Sequence, residues 1–218
     1  MTIVIFDFDS TLLTCESLEE ILKPVLADAP DKMAQIEAIT KEGMEGKLDF
    51  KQSLARRLEV AQPTLRLLQD FGAEGDQWLT EGIADLVRAL LQRGIEVRIV
   101  SGGLWEAIVP VAGRLGIPAE RVHAVRLKWA DDGSFVGIDD QDPFSENKIV
   151  GCKPLFEGRD ATKIAVGDGM TDHALFASGI VNHFVAYTEH ARREAVVATG
   201  APEARNSKEL ANILEAWL

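Results

Sequence analysis

Ile3-Val4-Ile5-Phe6-Asp7-Phe8-Asp9-Ser10-Thr11 opens the chain with four apolar residues that run straight into two carboxylates. The β-branched and aromatic run reads as a strand buried on both faces. Beyond it the chain changes character. From residue 13 to about residue 75 the pattern is helical. Leu18, Ile21, Leu22, Val25 and Leu26 form one apolar stripe, with Ser17 and Glu20 spaced as a capping box. Pro24 is expected to kink that helix or delay its start. Two more helical patterns cover residues 31–44 and 50–60, separated by Gly43 and Gly46, and Pro63 is expected to open a fourth that ends near Gly72 and Gly75.

The second half alternates. Ile83, Leu86, Val87, Leu90 and Leu91 line a helix that stops at Gly94, and residues 95–100 read as a strand ending in Ser101-Gly102-Gly103. A helix carrying Trp105, Ile108, Val109, Ala112 and Leu115 comes next. Residues 122–129 and 134–138, joined through Asp131-Asp132-Gly133, read as a β-hairpin. Residues 163–166 and 180–186 read as two further strands. Strands separated by helices of this length imply a parallel sheet with right-handed crossovers. The expected fold is therefore α/β: a Rossmann-like parallel sheet core flanked by helices (residues 1–12 and 76–218), with a small helical cap (residues 13–75) inserted after the first strand.

Composition narrows the function classes. The chain has 218 residues, 46% of them hydrophobic, which suits one globular unit with a modest insertion. Its formal charge is −12, and both the helical insertion and the remainder are net acidic, so nucleic-acid and anionic-membrane partners are not expected. Two distant cysteines, Cys15 and Cys152, argue against a disulfide framework or a structural zinc site and suit a reducing cytoplasm. No export signal or membrane-spanning run is read in the sequence, so a cytoplasmic protein is expected. The four histidines lack a metal-ligand spacing and read as ordinary surface or packed residues.

Ligands of parallel α/β sheets bind beyond the carboxyl ends of the strands. Three acidic or Gly-rich segments fall there: Asp7 with Asp9 after the first strand, Ser101-Gly102-Gly103 after the second, and Gly167-Asp168-Gly169-Met170-Thr171-Asp172 after the third. Carboxylates packed together repel one another unless a cation joins them, and hard oxygen donors with little imidazole or thiolate point to Mg²⁺. The turn after Ser101 opens a helix whose free N–H groups can hold a phosphate. A lysine would complete an anion site, with Lys148 and Lys153 both available.

These segments together resemble the haloacid dehalogenase-like phosphohydrolase superfamily. Its DxDx[TV] motif matches Asp7-Phe8-Asp9-Ser10-Thr11, its second-strand hydroxyl Ser101, its lysine Lys148, and its paired acids Asp168 and Asp172. Within it the match is closest to the phosphoserine phosphatase family, through Glu16 after DFDST and the segment Met44-Glu45-Gly46-Lys47-Leu48-Asp49-Phe50 continuing to Arg57. That resemblance implies Asp7 as a nucleophile that becomes an aspartyl-phosphate. It makes Asp9 the general acid and base, Ser101 and Lys148 phosphoryl binders, and Asp172 an orienting acid. Mg²⁺ would be held by Asp7, the Asp9 carbonyl and Asp168. Toward a substrate such as O-phosphoserine it implies Glu16 on the ammonium, Arg57 on the carboxylate, and Met44, Phe50, Gly102, Gly103 and Thr171 lining the pocket. Phe50 and Arg57 are two helical turns apart and share a face, whereas Arg56 is rotated by roughly 100°.

The alternatives left open are a phosphatase or phosphotransferase for another small phosphorylated metabolite, a phosphoacceptor signalling module, and an inactive phosphate-binding relative. The sequence does not fix the oligomeric state.

Overall fold

The computed structural model describes residues 1–44 and 48–218, with the backbone alone for residues 40, 41, 43 and 44. The buried opening run becomes β1 (Thr2–Phe6), with Ile3, Val4, Ile5 and Phe6 all but inaccessible to solvent. Such a strand must sit mid-sheet. It pairs in parallel with β2 (Glu96–Leu104) on one side and β6 (Thr162–Gly167) on the other. The full order is β3-β2-β1-β6-β7-β8, completed by β3 (Val122–Val125), β7 (His183–Tyr187) and β8 (Glu203–Ala204), every pairing parallel. The chain winds outward from β1 to β3, then returns to the other side of β1. The gap between β1 and β6 is thus the switch point of the sheet, where the two windings diverge and leave a crevice.

Alternation along β1 sends its side chains into two cores. Val4 and Phe6 join α5 (Ile83–Gln92), α6 (Trp105–Arg114) and α10 (Ser207–Leu214) through Val87, Ile108 and Leu210. Ile3 and Ile5 join α7 (Lys148–Phe156), α8 (Met170–Ala177) and α9 (Glu194–Val197) through Cys152, Leu175 and Val196. Each fully buried Ile or Val contributes about 1.5–3 kcal/mol, so the two-sided covering is the main force holding the central strand. Among the described residues no helix is long and apolar enough to cross a membrane.

The insertion carries α1 (Ser17–Leu26), α2 (Pro30–Met44), α3 (Phe50–Ala61) and α4 (Leu65–Glu74). Its entry and exit are strapped together: Thr14 N–H donates to the Trp78 carbonyl at 2.8 Å, and Thr80 N–H to the Leu12 carbonyl at 2.9 Å. Its inner residues Leu54, Leu58, Leu68 and Phe71 merge with the core on the Val4 face. Helix α4 lies tightly on α6; a Cβ at Gly75 would come within 2.3 Å of Val111.

Four expectations need correction. Residues 122–129 are not one hairpin arm: the run breaks at Arg126, whose N–H donates to Asp142, so β3 stays in the main sheet while β4 (Leu127–Trp129) pairs with β5 (Phe135–Ile138). Ser17 and Glu20 form no capping box, because the Ser17 N–H is taken by the Asp9 carboxylate. Pro63 lies outside α4, which is capped by the Thr64 hydroxyl. The strand expected over 180–186 begins only at His183, after a turn.

Candidate active site

Asp7 is the first residue past β1, and its N–H continues the ladder to the Val166 carbonyl at 2.8 Å. That bond places it in the crevice. Its Oδ1 accepts from Phe8 N–H at 2.7 Å, which caps a tight turn over Phe8–Leu12. Ser10 holds φ at +50° within the turn, a strained conformation for a side chain with a Cβ. Two bonds hold it there: Ser10 N–H to the Cys15 carbonyl at 3.1 Å and Ser10 Oγ to Glu16 Oε1 at 2.8 Å.

On the neighbouring strand, β6 ends at Gly167, Asp168 and Gly169 make the bend that follows, and α8 begins at Met170, bringing Asp172 back beneath the bend. A Cβ at Gly167 would lie 2.3 Å from the Asp172 carboxyl carbon, so only glycine allows this approach. Asp172 Oδ2 accepts from Gly169 N–H at 3.1 Å. Its other oxygen receives the Lys148 ammonium at 2.6 Å, which also lies 2.8 Å from Asp7 Oδ1. Lys148 is buried at the start of α7, while Lys153 is exposed on the same helix; Lys148 is the lysine in the site.

Asp7, Asp168 and Asp172 each offer an oxygen within 4.8 Å of the others. Three convergent hard oxygen donors are the donor set of a small divalent cation, so the residues fit one. Asp9 contributes no carboxylate oxygen to this cluster; its Oδ1 is turned to Ser17 N–H at 2.9 Å, at the mouth of α1.

The electrostatics show unrelieved crowding. Burial, helped by Glu16 and Asp7, pushes the Asp9 pKa up to about 7, against the pull of the Ser17 bond. Burial and the Asp7 charge raise Asp168 to about 6, although Arg193 pulls it down. The same two causes raise Asp172, with Lys148 opposing. Burial works against the charge on Lys148, but Asp172 and Asp7 outweigh it and drive its pKa upward.

A fifth correction concerns the second motif: Ser101-Gly102-Gly103 is not a turn after the strand but part of β2, which runs on to Leu104 through a shift in its register against β3. Ser101 is buried there, and its Oγ accepts from Gly103 N–H at 2.9 Å. A Cβ at Gly103 would approach Asp9 Oδ2 to 3.3 Å, so this end of the strand lies against the first motif. Phe50 comes down from the insertion: its ring atoms would lie 3.0–3.1 Å from a Cβ at Gly102. Arg57 is half-buried on the same helix, with Nε donating to the Ser53 carbonyl at 3.3 Å. Burial lowers its pKa, opposed by the charges of Glu19, Glu16 and Asp9. Arg56 points away, exposed, toward Glu42. Thr171 is exposed at the start of α8. The Met44 side chain and residues 45–47 of the motif segment lie outside the described residues.

The sequence reading missed Arg193. Its Nε donates to Asp168 Oδ2 at 2.8 Å, and a terminal nitrogen lies 3.4 Å from Glu16 Oε1. Nothing in the run His190-Ala191-Arg192-Arg193 marks one arginine over the other; only the fold separates them.

This arrangement of an acidic strand end, a buried lysine and paired acids across a switch point defines a class. The chain belongs to the haloacid dehalogenase-like hydrolase family, whose model matches residues 4–177. Within that class it falls in the phosphoserine phosphatase family. It is 36% identical over 172 residues to human phosphoserine phosphatase, across 78% of this chain and 74% of that protein. It is 33% identical over 198 residues to the chloroplastic phosphoserine phosphatase of Arabidopsis thaliana, across 89% of this chain but 65% of that longer relative. Its fold is similar to a phosphoserine phosphohydrolase-like protein from Francisella tularensis, with a TM-score of 0.90 and 42% identity over 98% of this chain and 99% of that one.

Proposed function

We propose that the chain hydrolyses O-phosphoserine, or a close amino-acid phosphate, through an aspartyl-phosphate on Asp7 with Mg²⁺ as the ion of the carboxylate cluster. The single observation that carries this reading is the convergence of Asp7 with Lys148, Asp168 and Asp172 at the switch point. Asp7 attacks phosphorus in line; the P–O bond to the leaving alkoxide breaks, and Asp9 supplies the proton that alkoxide needs. With its pKa pushed up to about 7, Asp9 is protonated in about half of the molecules at neutral pH, so both its acid and its base form are at hand. In the second step Asp9 takes a proton from water, the oxygen of that water bonds to phosphorus, and Asp7 leaves as a carboxylate. Lys148, the Ser101 hydroxyl and the Gly102 N–H bind the phosphoryl oxygens. Asp7, Asp168 and the Asp9 carbonyl would hold Mg²⁺, with Asp172 as the orienting acid, and the ion would supply positive charge against the transferring group.

Glu16 and Arg57 suit the ammonium and carboxylate of a free amino acid, the second through a planar bidentate pair. Phe50 over Gly102 forms the wall between them and the phosphate. The insertion acts as a lid, excluding water during phosphorylation and admitting it afterwards. Both cysteines are free, in keeping with a cytoplasmic enzyme.

Two measurements test this. Acid quenching of a reaction with ³²P-labelled O-phosphoserine should leave label on Asp7; label on another residue contradicts the mechanism. A panel of phosphomonoesters should rank O-phosphoserine first. If sugar phosphates outrank it and Arg57→Ala leaves the order unchanged, the amino-acid reading is wrong.

A further inference from the structure

Arg193 precedes α9 on the loop after β7, with its side chain 42% exposed. Asp168, which accepts its Nε–H, follows β6 in the core; Glu16, beside its terminal nitrogen, precedes α1 of the insertion. One planar group therefore spans the seam between the two parts at the edge of the carboxylate cluster. A guanidinium donates along fixed directions, so its bond to Oδ2 sets the plane of the Asp168 carboxylate and with it the aim of the second oxygen.

We propose that Arg193 is a positioning residue for the ion site, fixing Asp168 in its ion-holding orientation and tying Glu16 to it. The inference rests on the divalent-ion reading of the cluster of Asp7, Asp168 and Asp172. Two effects of the guanidinium oppose each other. Its positive charge repels a divalent ion, while its hydrogen bond pre-orders a ligand. The charge is partly open to water and salt, which weaken repulsion. Partners that orient metal ligands are typically worth about 10- to 100-fold in metal affinity. Orientation wins.

The experiment is a calorimetric titration of Mg²⁺ alone into the metal-free full chain, without substrate, for the wild type, Arg193→Gln, Arg193→Lys and Arg192→Gln. Arg192 is the neighbouring control; it is more exposed and bonds Glu203 at 3.0 Å. Arg193→Gln should weaken Mg²⁺ binding by about 10- to 100-fold. Arg193→Lys, which keeps the charge without the plane, should recover only part of the loss, and Arg192→Gln should match the wild type. Equal or tighter binding by Arg193→Gln overturns the proposal, because the arginine would then be a counter-charge only. So does an equal loss in Arg192→Gln, which would assign the effect to the loop as a whole. Four flat titrations, wild type included, would instead bring down the ion reading and the proposal with it.

Discussion

Two charged clusters lie at opposite ends of the same sheet, and they are built to different rules. At the amino end of β2, Glu96 is held by both terminal nitrogens of Arg159 at 2.9 and 3.1 Å and by Arg98. Burial alone would raise its pKa, but these bonds more than offset it and hold the carboxyl below its ordinary value. Arg98 also donates to His123 Nε2 at 2.8 Å, which fixes that ring in its neutral form. At the carboxyl end of β1 and β6, Asp7, Asp9, Glu16, Asp168 and Asp172 crowd together, with Lys148 and Arg193 in direct contact with some of them. There Asp9, Asp168 and Asp172 are raised, not lowered. The first cluster balances its own charge and serves the fold. The second is left short of cations, a deficit that a divalent ion would relieve.

The sharpest way to break this contrast is to remove one acid from each end. Asp7→Asn should lower kcat by about 10⁴-fold or more, as removal of a covalent nucleophile does. The metal-free protein should stay close to wild-type stability, since the lost ion pair with Lys148 is offset by relief of the repulsion on Asp9, Asp168 and Asp172. Glu96→Gln should do the reverse: unchanged kcat/KM, with stability reduced by about 1–3 kcal/mol as two arginines lose their acceptor. A stable Glu96→Gln, or a destabilised Asp7→Asn, would show that the two ends do not differ in this way. Denaturant unfolding and steady-state kinetics on both variants decide it.

Removing cations comes next in size. Lys148→Met should cost about 10²- to 10³-fold in kcat, the range for losing one fixed electrostatic donor. It should also destabilise the metal-free chain, because Asp172 and Asp7 lose a buried partner. Mg²⁺ should restore much of that stability but little of the rate. At the insertion, Arg57→Ala should raise KM for O-phosphoserine by about 10- to 100-fold, the scale of a charge-assisted hydrogen-bonded pair. Arg56→Ala, on the solvent side of the same helix, should leave KM near the wild type. Equal effects would mean that α3 presents a different face to the substrate.

How much of this was legible in the sequence depends on the range of each signal. The apolar run Ile3–Phe6 and the acids that end it are local, so both the central strand and Asp7 could be read directly. Lys148 and Lys153 could not be separated by spacing; burial of one and exposure of the other divides them, and that depends on how α7 packs. The capping box at Ser17 looked right locally but lost to a partner eight residues upstream, Asp9. The run 122–129 concealed a break because the Asp142 side chain that creates it comes from beyond the hairpin. Arg193 was invisible for the same reason: its partners are 25 and 177 residues away. Local chemistry was readable, and contacts made by the tertiary fold were not.

The smallest effect sets the two ends against each other in one titration. Asp9 and Asp168 have folded-state pKa values above their ordinary ones, so the folded chain binds their protons more tightly than the unfolded chain does. Without metal, their contribution to stability is therefore full below about 4, the unfolded value, and is lost as pH rises from there through about 6 to 7. His123 runs the other way. Burial, with Arg98 and Arg126, lowers its pKa to about 4, so its contribution is intact above its unfolded value near 6.5 and is lost as pH falls toward 4. Mg²⁺ relieves the first penalty and cannot touch the second. Saturating Mg²⁺ should raise Tm by about 3–8 °C at pH 8, on the scale of one to two kcal/mol for a chain of this size, and by less than half that at pH 5, where protons already neutralise the acids. His123→Gln should flatten the acid limb and leave the Mg²⁺ gain at pH 8 unchanged. A gain equal at both pH values would mean the acids are not the source of the strain, and one that vanished with His123 would mean the two ends are coupled through the sheet.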